Sequence, residues 1–303
     1  MGRINIGLTV IIITYNESKH IRRCLESVQD IANDVFVVDS FSTDDTEAIC
    51  RDMGGQVLKN NFVNHATQFN WALQNCPIET KWVMRLDADE YLLPELVDEL
   101  RNKLPILRPN ISGLYMKRRV HFSGKWIRYG AYYPTWLLRV WRHGDAVCEQ
   151  RWMDEHIKLL RGESLHLKND FVDDNLHGLT NWVSKHNGYA SREAIDLMNM
   201  TEQFLDQDEV PMRLFGSQEE RKRWLKYRYV QFPLFLRPFI YFFYRYFIKL
   251  GFLDGKEGLV WHFLQGFWYR FLVDAKLMEL RRDMQLNGSN PQSAIKNVLG
   301  IEV

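Results

Sequence analysis

The sequence predicts an α/β fold: a doubly wound, mostly parallel sheet followed by a helical, aromatic-rich C-terminal region. Three observations carry this. Apolar β-branched runs alternate with helical stretches over the first 105 residues, which is the signature of strand–helix–strand units. Polar clusters fall at the C-terminal ends of three of those runs. Beyond about residue 205 the composition shifts to basic and aromatic.

Leu8 to Ile13 (LTVIII) is a continuous apolar run suited to a strand covered on both faces. Thr14, Tyr15, Asn16 and Glu17 then open a helical stretch to about Gln29. Asp34 to Val38 is the next strand, ending in the polar turn Asp39 to Asp44, where Thr43 or Asp44 caps a helix running to about Met53. Gln56 to Lys59 is a short third strand, Thr67 to Asn75 a helix, and Lys81 to Leu86 (KWVMRL) the fourth strand. Pro94 to Leu104 follows as a helix with Pro in its first turn.

The chain has 303 residues and is 46% hydrophobic, enough for one large domain, expected over residues 1–205, and an appendage over 206–303. Cys24, Cys50, Cys76 and Cys148 are widely spaced without a C-x-x-C pair, which disfavours a zinc site or a disulfide framework and suits a reducing cytosol. The start of the chain lacks the basic, apolar and small-residue sequence of a signal peptide. Neither G-x-G-x-x-G nor G-x-x-x-x-G-K-[ST] is present, so a nicotinamide, flavin or P-loop site is not expected.

Asp87-Ala88-Asp89 closes the fourth strand, at the edge where open α/β sheets bind ligands. Two carboxylates there suit a hard divalent ion, Mn²⁺ or Mg²⁺, held against a diphosphate. Alone, Asp-x-Asp is a common chance pattern, and a solvated loop is the bland alternative.

Leu8 to Glu17 (LTVIIITYNE), Val37 to Thr46 (VVDSFSTDDT), Gln68 to Leu73 (QFNWAL) and Trp82 to Glu90 (WVMRLDADE) together resemble the successive motifs of family 2 glycosyltransferases of the GT-A fold. The similarity is to members of the bacterial lipopolysaccharide-core, O-antigen and capsule type. The resemblance implies that Thr14, Tyr15, Asn16, Glu17, Ser42 and Asn70 surround the nucleotide, that Asp39 reads its base, and that Asp87, Ala88 and Asp89 border the sugar diphosphate and the metal. Many members have Asp-Asp-Gly-Ser where this chain has Asp39-Ser40-Phe41-Ser42, so a bulky ring replaces glycine.

Inverting transfer needs a carboxylate to take the acceptor hydroxyl proton. Arg151 to His156 (RWMDEH) offers adjacent acids beside an aromatic. The resemblance aligns Glu155 with the base, leaves Asp154 as the alternative, and gives Trp152 an acceptor sugar to stack on; a charged turn is the competing reading. From Asn181 to Met198 the pattern is helical, with Lys185, Tyr189 and Arg192 on one face, where basic groups would favour departure of the diphosphate. His177 is expected to complete the metal shell or contact phosphate.

Arg213 to Lys256 holds ten basic residues against three acidic ones, in a chain whose net charge is +1. Tyr229 to Phe271 holds 17 of the 41 aromatic residues. Arg237, Arg245 and Lys249 interrupt this stretch, which therefore falls short of the roughly 20 apolar residues of a membrane span. The profile is that of an anionic membrane surface as partner, with packing against the catalytic domain or a homo-oligomer as the alternative. No nucleic-acid module is visible.

The expectation is an inverting, metal-dependent enzyme moving a sugar from a nucleotide diphosphate sugar, with UDP the expected nucleotide, to a lipid-linked or membrane-bound glycan at the cytoplasmic face of the inner membrane. A sugar nucleotidyltransferase, or a membrane-bound scaffold with a degenerate nucleotide site, is the alternative.

Overall fold

The apolar run at the start becomes β1 (Leu8–Thr14) of a nine-stranded sheet. The computed structural model describes residues 6–150, 155–205, 215 and 218–303, with backbone only for 218–223. In chain order α1 (Ile21–Val28), β2 (Asp34–Asp39), α2 (Thr46–Asp52), β3 (Gln56–Lys59), α3 (His65–Asn75) and β4 (Trp82–Asp87) follow. Next come β5 (Glu90–Leu92), α4 (Pro94–Lys103), β6 (Ile111–Phe122), β7 (Lys125–Ile127), β8 (Thr135–Arg142), β9 (Ala146–Cys148), β10 (Ile157–Leu159) and β11 (Glu163–Asp174).

The sheet order is β3-β2-β1-β4-β8-β6-β11-β5, with β7 paired to β6, and β9 and β10 form a separate hairpin. The β3-β2-β1-β4 half is parallel as expected. The other half corrects the mostly parallel expectation: β8 runs antiparallel to both β4 and β6, β5 and β7 are antiparallel additions, and only β6 with β11 is parallel. Because β6 and β11 run in the direction of β1 and β4, the C-terminal ends of β1, β2, β4, β6 and β11 share one edge, together with the start of β8.

Both faces of this sheet are covered. Val10, Ile12, Met84 and Leu86 pack on one side with Ile21, Leu25 and Val28 of α1 and Leu96 and Leu100 of α4. Ile11, Phe36, Val38 and Val83 pack on the other with Ala66, Phe69 and Ala72 of α3. Two-sided burial explains why β1 and β4 read as unbroken apolar runs, not as alternating ones.

This sheet belongs to a unit made of Met1–Glu149 and Glu155–His177; the second unit comprises Gln150–Asp154 and Gly178–Val303. The units therefore divide at residue 178, well before the composition change near residue 205. The second unit is helical: α5 (Leu179–Glu202), α6 (Gln218–Val230), α7 (Leu236–Phe243), α8 (Gly255–Trp261), α9 (Tyr269–Asn287) and α10 (Pro291–Leu299). Ala190, Ala194, Ile195 and Met198 of α5 form its core with Val273, Leu277 and Leu280 of α9 and Ala294 and Ile295 of α10. A buried ion pair joins Arg237 to Asp274, with Nε to Oδ1 at 2.8 Å. After Phe243, α7 passes into a π-helical turn, Tyr244–Ile248. Among the described residues no helix is long and apolar enough to cross a membrane.

Candidate active site

Polar residues at the ends of β1 and β2 are tied to one another. Asp39, fully buried, accepts the Thr14 hydroxyl at 3.1 Å, the Ser42 hydroxyl at 2.5 Å and the Ser42 backbone N–H at 2.9 Å. Ser42 Oγ in turn accepts the Asn16 N–H at 2.8 Å, and Asn16 Oδ1 accepts the Thr43 N–H at 2.8 Å. Asp44 accepts the N–H groups of Thr46 and Ser18, so it serves the start of α2 as capping chemistry anticipates. Asp39, Ser42 and Asn16 are thus a brace between two turns. Among the residues this edge exposes are two rings, Tyr15 (58% exposed) and Phe41 (49% exposed), beside the polar Thr43, Asp44 and Asp45.

Phe41 has φ +62°. A side chain in this left-handed region costs roughly 1–2 kcal/mol, so the residue that replaces the family's glycine keeps glycine's backbone path and adds a ring to it. The Lys59 ammonium lies 5.8 Å from that ring's centre. Asn70, expected at the nucleotide, uses both ends of its carboxamide on the backbone of Cys148, at 2.8 and 2.9 Å, and pins β9 to α3.

The Asp-x-Asp turn is a charge lattice. Asp87 ends β4 and accepts Arg85 Nε at 3.1 Å and Arg139 Nη2 at 3.2 Å. Burial opposes its ionisation, but the two guanidiniums win and hold its carboxyl well below the usual range. Glu90 accepts the Asp87 N–H at 2.9 Å and Arg139 at 2.5 Å. Its burial, reinforced by the charges of Asp87 and Asp173 and resisted by Arg139, pushes its carboxyl upward. Ala88 is buried. Asp89 takes an amide donor in place of a guanidinium, Asn175 Nδ2 at 3.0 Å.

Asn175 connects two expected residues. Its Oδ1 accepts the His177 N–H at 3.0 Å while its amide donates to Asp89. The His177 ring stands edge-on to His20 at 4.7 Å, and Glu17, His20 and His177 place one ligand atom each within 4.8 Å of one another. His20 spends both nitrogens inside the chain: Nδ1 meets Glu17 Oε2 at 2.6 Å and Nε2 accepts the Leu176 N–H at 2.7 Å. His20 is therefore a brace for the segment after β11, and Glu17 is its partner.

Glu155 lies 3.1 Å from Arg85 Nη2. One buried guanidinium consequently joins the candidate base to the first carboxylate of Asp-x-Asp. Asp154 and Trp152 lie outside the described residues. Lys185 and Tyr189 are on α5 in the second unit, where the Lys185 ammonium sits 5.8 Å from the Tyr189 ring centre.

Residues 9–156 match the model of the family described as glycosyl transferase family 2. A glycosyltransferase of Rickettsia typhi is 30% identical over 290 residues, covering 90% of this chain and 87% of that protein. This chain belongs to glycosyltransferase family 2. Among solved structures, a mannosyltransferase of Pyrobaculum calidifontis in complex with GDP-mannose and Mn²⁺ is similar with a TM-score of 0.48 and 13% identity, covering 90% of this chain and 87% of that one. Glucosyl-3-phosphoglycerate synthase of Mycobacterium tuberculosis, in complex with Mn²⁺, UDP and its product, matches 38% of this chain and 44% of its own at a TM-score of 0.32 and 20% identity.

The sequence of this glycosyltransferase points to Asp87, Asp89, Glu155 and His177 but not to Arg85, Arg139, Glu90 and Asn175, which hydrogen-bond to them. The signal for two of them was present. Arg85 and Arg139 each interrupt an apolar strand run, and a charge in a buried strand requires partners.

Proposed function

We propose that the enzyme transfers a sugar, with inversion, from a nucleoside diphosphate sugar to a lipid-linked or membrane-bound glycan. UDP is the expected nucleotide. The observation that carries the reading is the sharing of Arg85 between Glu155 and Asp87: it fixes a carboxylate suited to deprotonating an acceptor hydroxyl beside the carboxylates suited to the donor diphosphate. Glu155 takes the proton as the acceptor oxygen bonds to the anomeric carbon. The bond to the diphosphate breaks, and the nucleoside diphosphate leaves.

Asp89 and His177, bridged by Asn175, would hold a divalent ion, which supplies positive charge to the diphosphate. A carboxylate with an imidazole suits Mn²⁺ better than Mg²⁺, which prefers oxygen ligands throughout. Tyr15 and Phe41 offer exposed faces on which a base can stack.

The second unit supports attachment to an anionic membrane surface at the cytoplasmic face of the inner membrane. Phe239, Phe243, Phe247, Ile248, Phe252 and Leu253 are exposed on and between α7 and α8, with Lys249 and Lys256 exposed among them. Rings and basic side chains together are the chemistry of an interfacial element.

The test is thermal shift and hydrolysis with a panel of nucleotide sugars, with and without Mn²⁺. Stabilisation and slow hydrolysis of one nucleotide sugar only when Mn²⁺ is present is the expected result. Equal response with EDTA sinks the metal assignment. Sedimentation with vesicles of graded anionic content tests the membrane; protein that stays in the supernatant and self-associates instead assigns the exposed rings to a homo-oligomer.

A further inference from the structure

The segment after β11 carries His177 and faces Asp89, yet little of it is packed into a core. Leu176 is 51% exposed, and Asp174, Asn175 and His177 are only partly buried. Hydrogen bonds therefore place residues 174–177. One set fixes them to the Asp-x-Asp turn: the Asp174 N–H donates to the Asp89 carbonyl at 3.1 Å, and Asn175 joins the Asp89 carboxylate to the His177 N–H. A second set fixes them to the start of α1. Arg23 Nη1 and Nη2 donate to Oδ2 and the carbonyl of Asp174 at 2.7 and 2.6 Å, and His20 Nε2 accepts the Leu176 N–H at 2.7 Å.

The partners of His20, a fully buried ring, fix its tautomer. A backbone N–H can only donate, so Nε2 is the unprotonated nitrogen and Nδ1 carries the hydrogen, which goes to Glu17 Oε2 at 2.6 Å. A neutral imidazole held in this way has no lone pair left for an ion. Although Glu17, His20 and His177 place ligand atoms within 4.8 Å of one another, His20 could bind a cation only by releasing Leu176 or Glu17. Its place is therefore behind the ligands. The His177 ring rests edge-on against it at 4.7 Å, so His20 meets the segment through both its nitrogen and its face.

We propose that His20 is the positioning residue of the divalent-ion site: oriented by Glu17, it holds the Leu176 backbone and thereby sets where His177 stands relative to Asp89. This rests on the reading of Asp89 and His177 as the ligands. Bonds to a metal tolerate only about 0.2 Å of error, so a segment with one anchor fewer would still fold but would meet the ion badly. Groups that orient ligands in this way typically carry about 10- to 100-fold in metal affinity.

The test is Mn²⁺ binding by the full chain, with free Mn²⁺ counted by electron paramagnetic resonance, alone and with UDP or GDP present. An asparagine at position 20 can reach Glu17 but not Leu176, whereas a glutamine can set its carbonyl oxygen where Nε2 stands. His20→Asn should therefore weaken Mn²⁺ binding by about tenfold or more, and His20→Gln should restore most of it, with the melting temperature of each checked. A second pair reads the same chain at a partly exposed position, should His20→Asn not fold. Glu17→Leu removes the acceptor that orients the ring and should also weaken Mn²⁺ binding by about tenfold, while Glu17→Gln keeps an acceptor and should bind close to the wild type. Undiminished binding by a folded His20→Asn or by Glu17→Leu overturns the proposal, as does a glutamine at position 20 that is no better than asparagine. Equal loss in Glu17→Gln and Glu17→Leu makes Glu17 a ligand and overturns it too. Wild-type protein that binds no Mn²⁺, or Asp89→Ala that binds it fully, brings down the metal reading itself, so the two failures are distinguishable.

Discussion

Both units bury ion pairs, but they differ in what they leave exposed. In the first, Arg85, Arg139 and Glu90, with the partly buried Asp87 and Glu155, form one lattice under the ligand edge. In the second, large rings are exposed on α7 and between α7 and α8 while the His262 imidazole is buried. The contrast separates the needs of the two proposed roles. Transfer needs fixed charge in a dry setting, whereas the proposed attachment to a surface would need apolar area that the protein itself leaves uncovered.

Substitutions should therefore separate the two activities. Asp89→Ala should reduce transfer by about 10³-fold or more and leave vesicle binding intact; a folded Asp89→Ala protein with full transfer would break the contrast at its strongest point. Glu155→Gln should reduce turnover by about 10² to 10⁴ while still binding nucleotide sugar. Loss of nucleotide binding in that variant would mean that Glu155 builds the donor site through Arg85 and is not the base. Lys249→Glu with Lys256→Glu should release the protein from anionic vesicles, since each basic residue near such a surface contributes about 1 kcal/mol; co-sedimentation unaffected by these reversals would detach charge from the membrane reading.

Two smaller effects sharpen the comparison. Phe41→Gly removes an exposed ring and a strained backbone together, so nucleotide affinity should fall by about tenfold with little change in melting temperature. Unchanged affinity would remove Phe41 from the donor site. The units should also answer pH in opposite directions. Burial pushes His186 and His262 down to about 4, and His262 lies 3.9 Å from Asp254. Their contribution is complete above the ordinary imidazole value of about 6.5 and is lost as pH falls towards 4, because the unfolded chain binds protons that the folded one refuses. Glu90 is raised, so its contribution is complete below the ordinary carboxylate range and is lost as pH rises. Hydrogen exchange followed by peptide mass at pH 7 and pH 5 should show faster opening of α9 and slower opening of β4 at the lower pH; parallel changes in both would contradict these environments.

The parallel half of the sheet was legible because buried strands write themselves as apolar runs: the boundaries of Gln56–Lys59 are those expected. The antiparallel half was not, since β6 and β11 carry Lys, Arg, Asp and His inward onto one another, which hides them from any hydrophobic pattern. Within the site, Asp87, Asp89 and His177 are proposed from motif and position. The partners of Asn70 and Asp39 inside the chain were not legible, because an amide bonded to a distant backbone and a carboxylate bonded within its own turn look the same in sequence as unbonded ones. The tie of His20 to Leu176 left no local trace either, the two being 156 residues apart.

The fork of Arg85 also bears on how this protein can change over generations. Its guanidinium meets Asp87 with one nitrogen and Glu155 with another, and a lysine, a single point of charge, cannot span both. Loss of Arg85 would leave Glu155 without this partner, whereas Asp87 would keep Arg139. Lineages that alter position 85 are therefore expected to have altered position 155 with it, and position 87 less often.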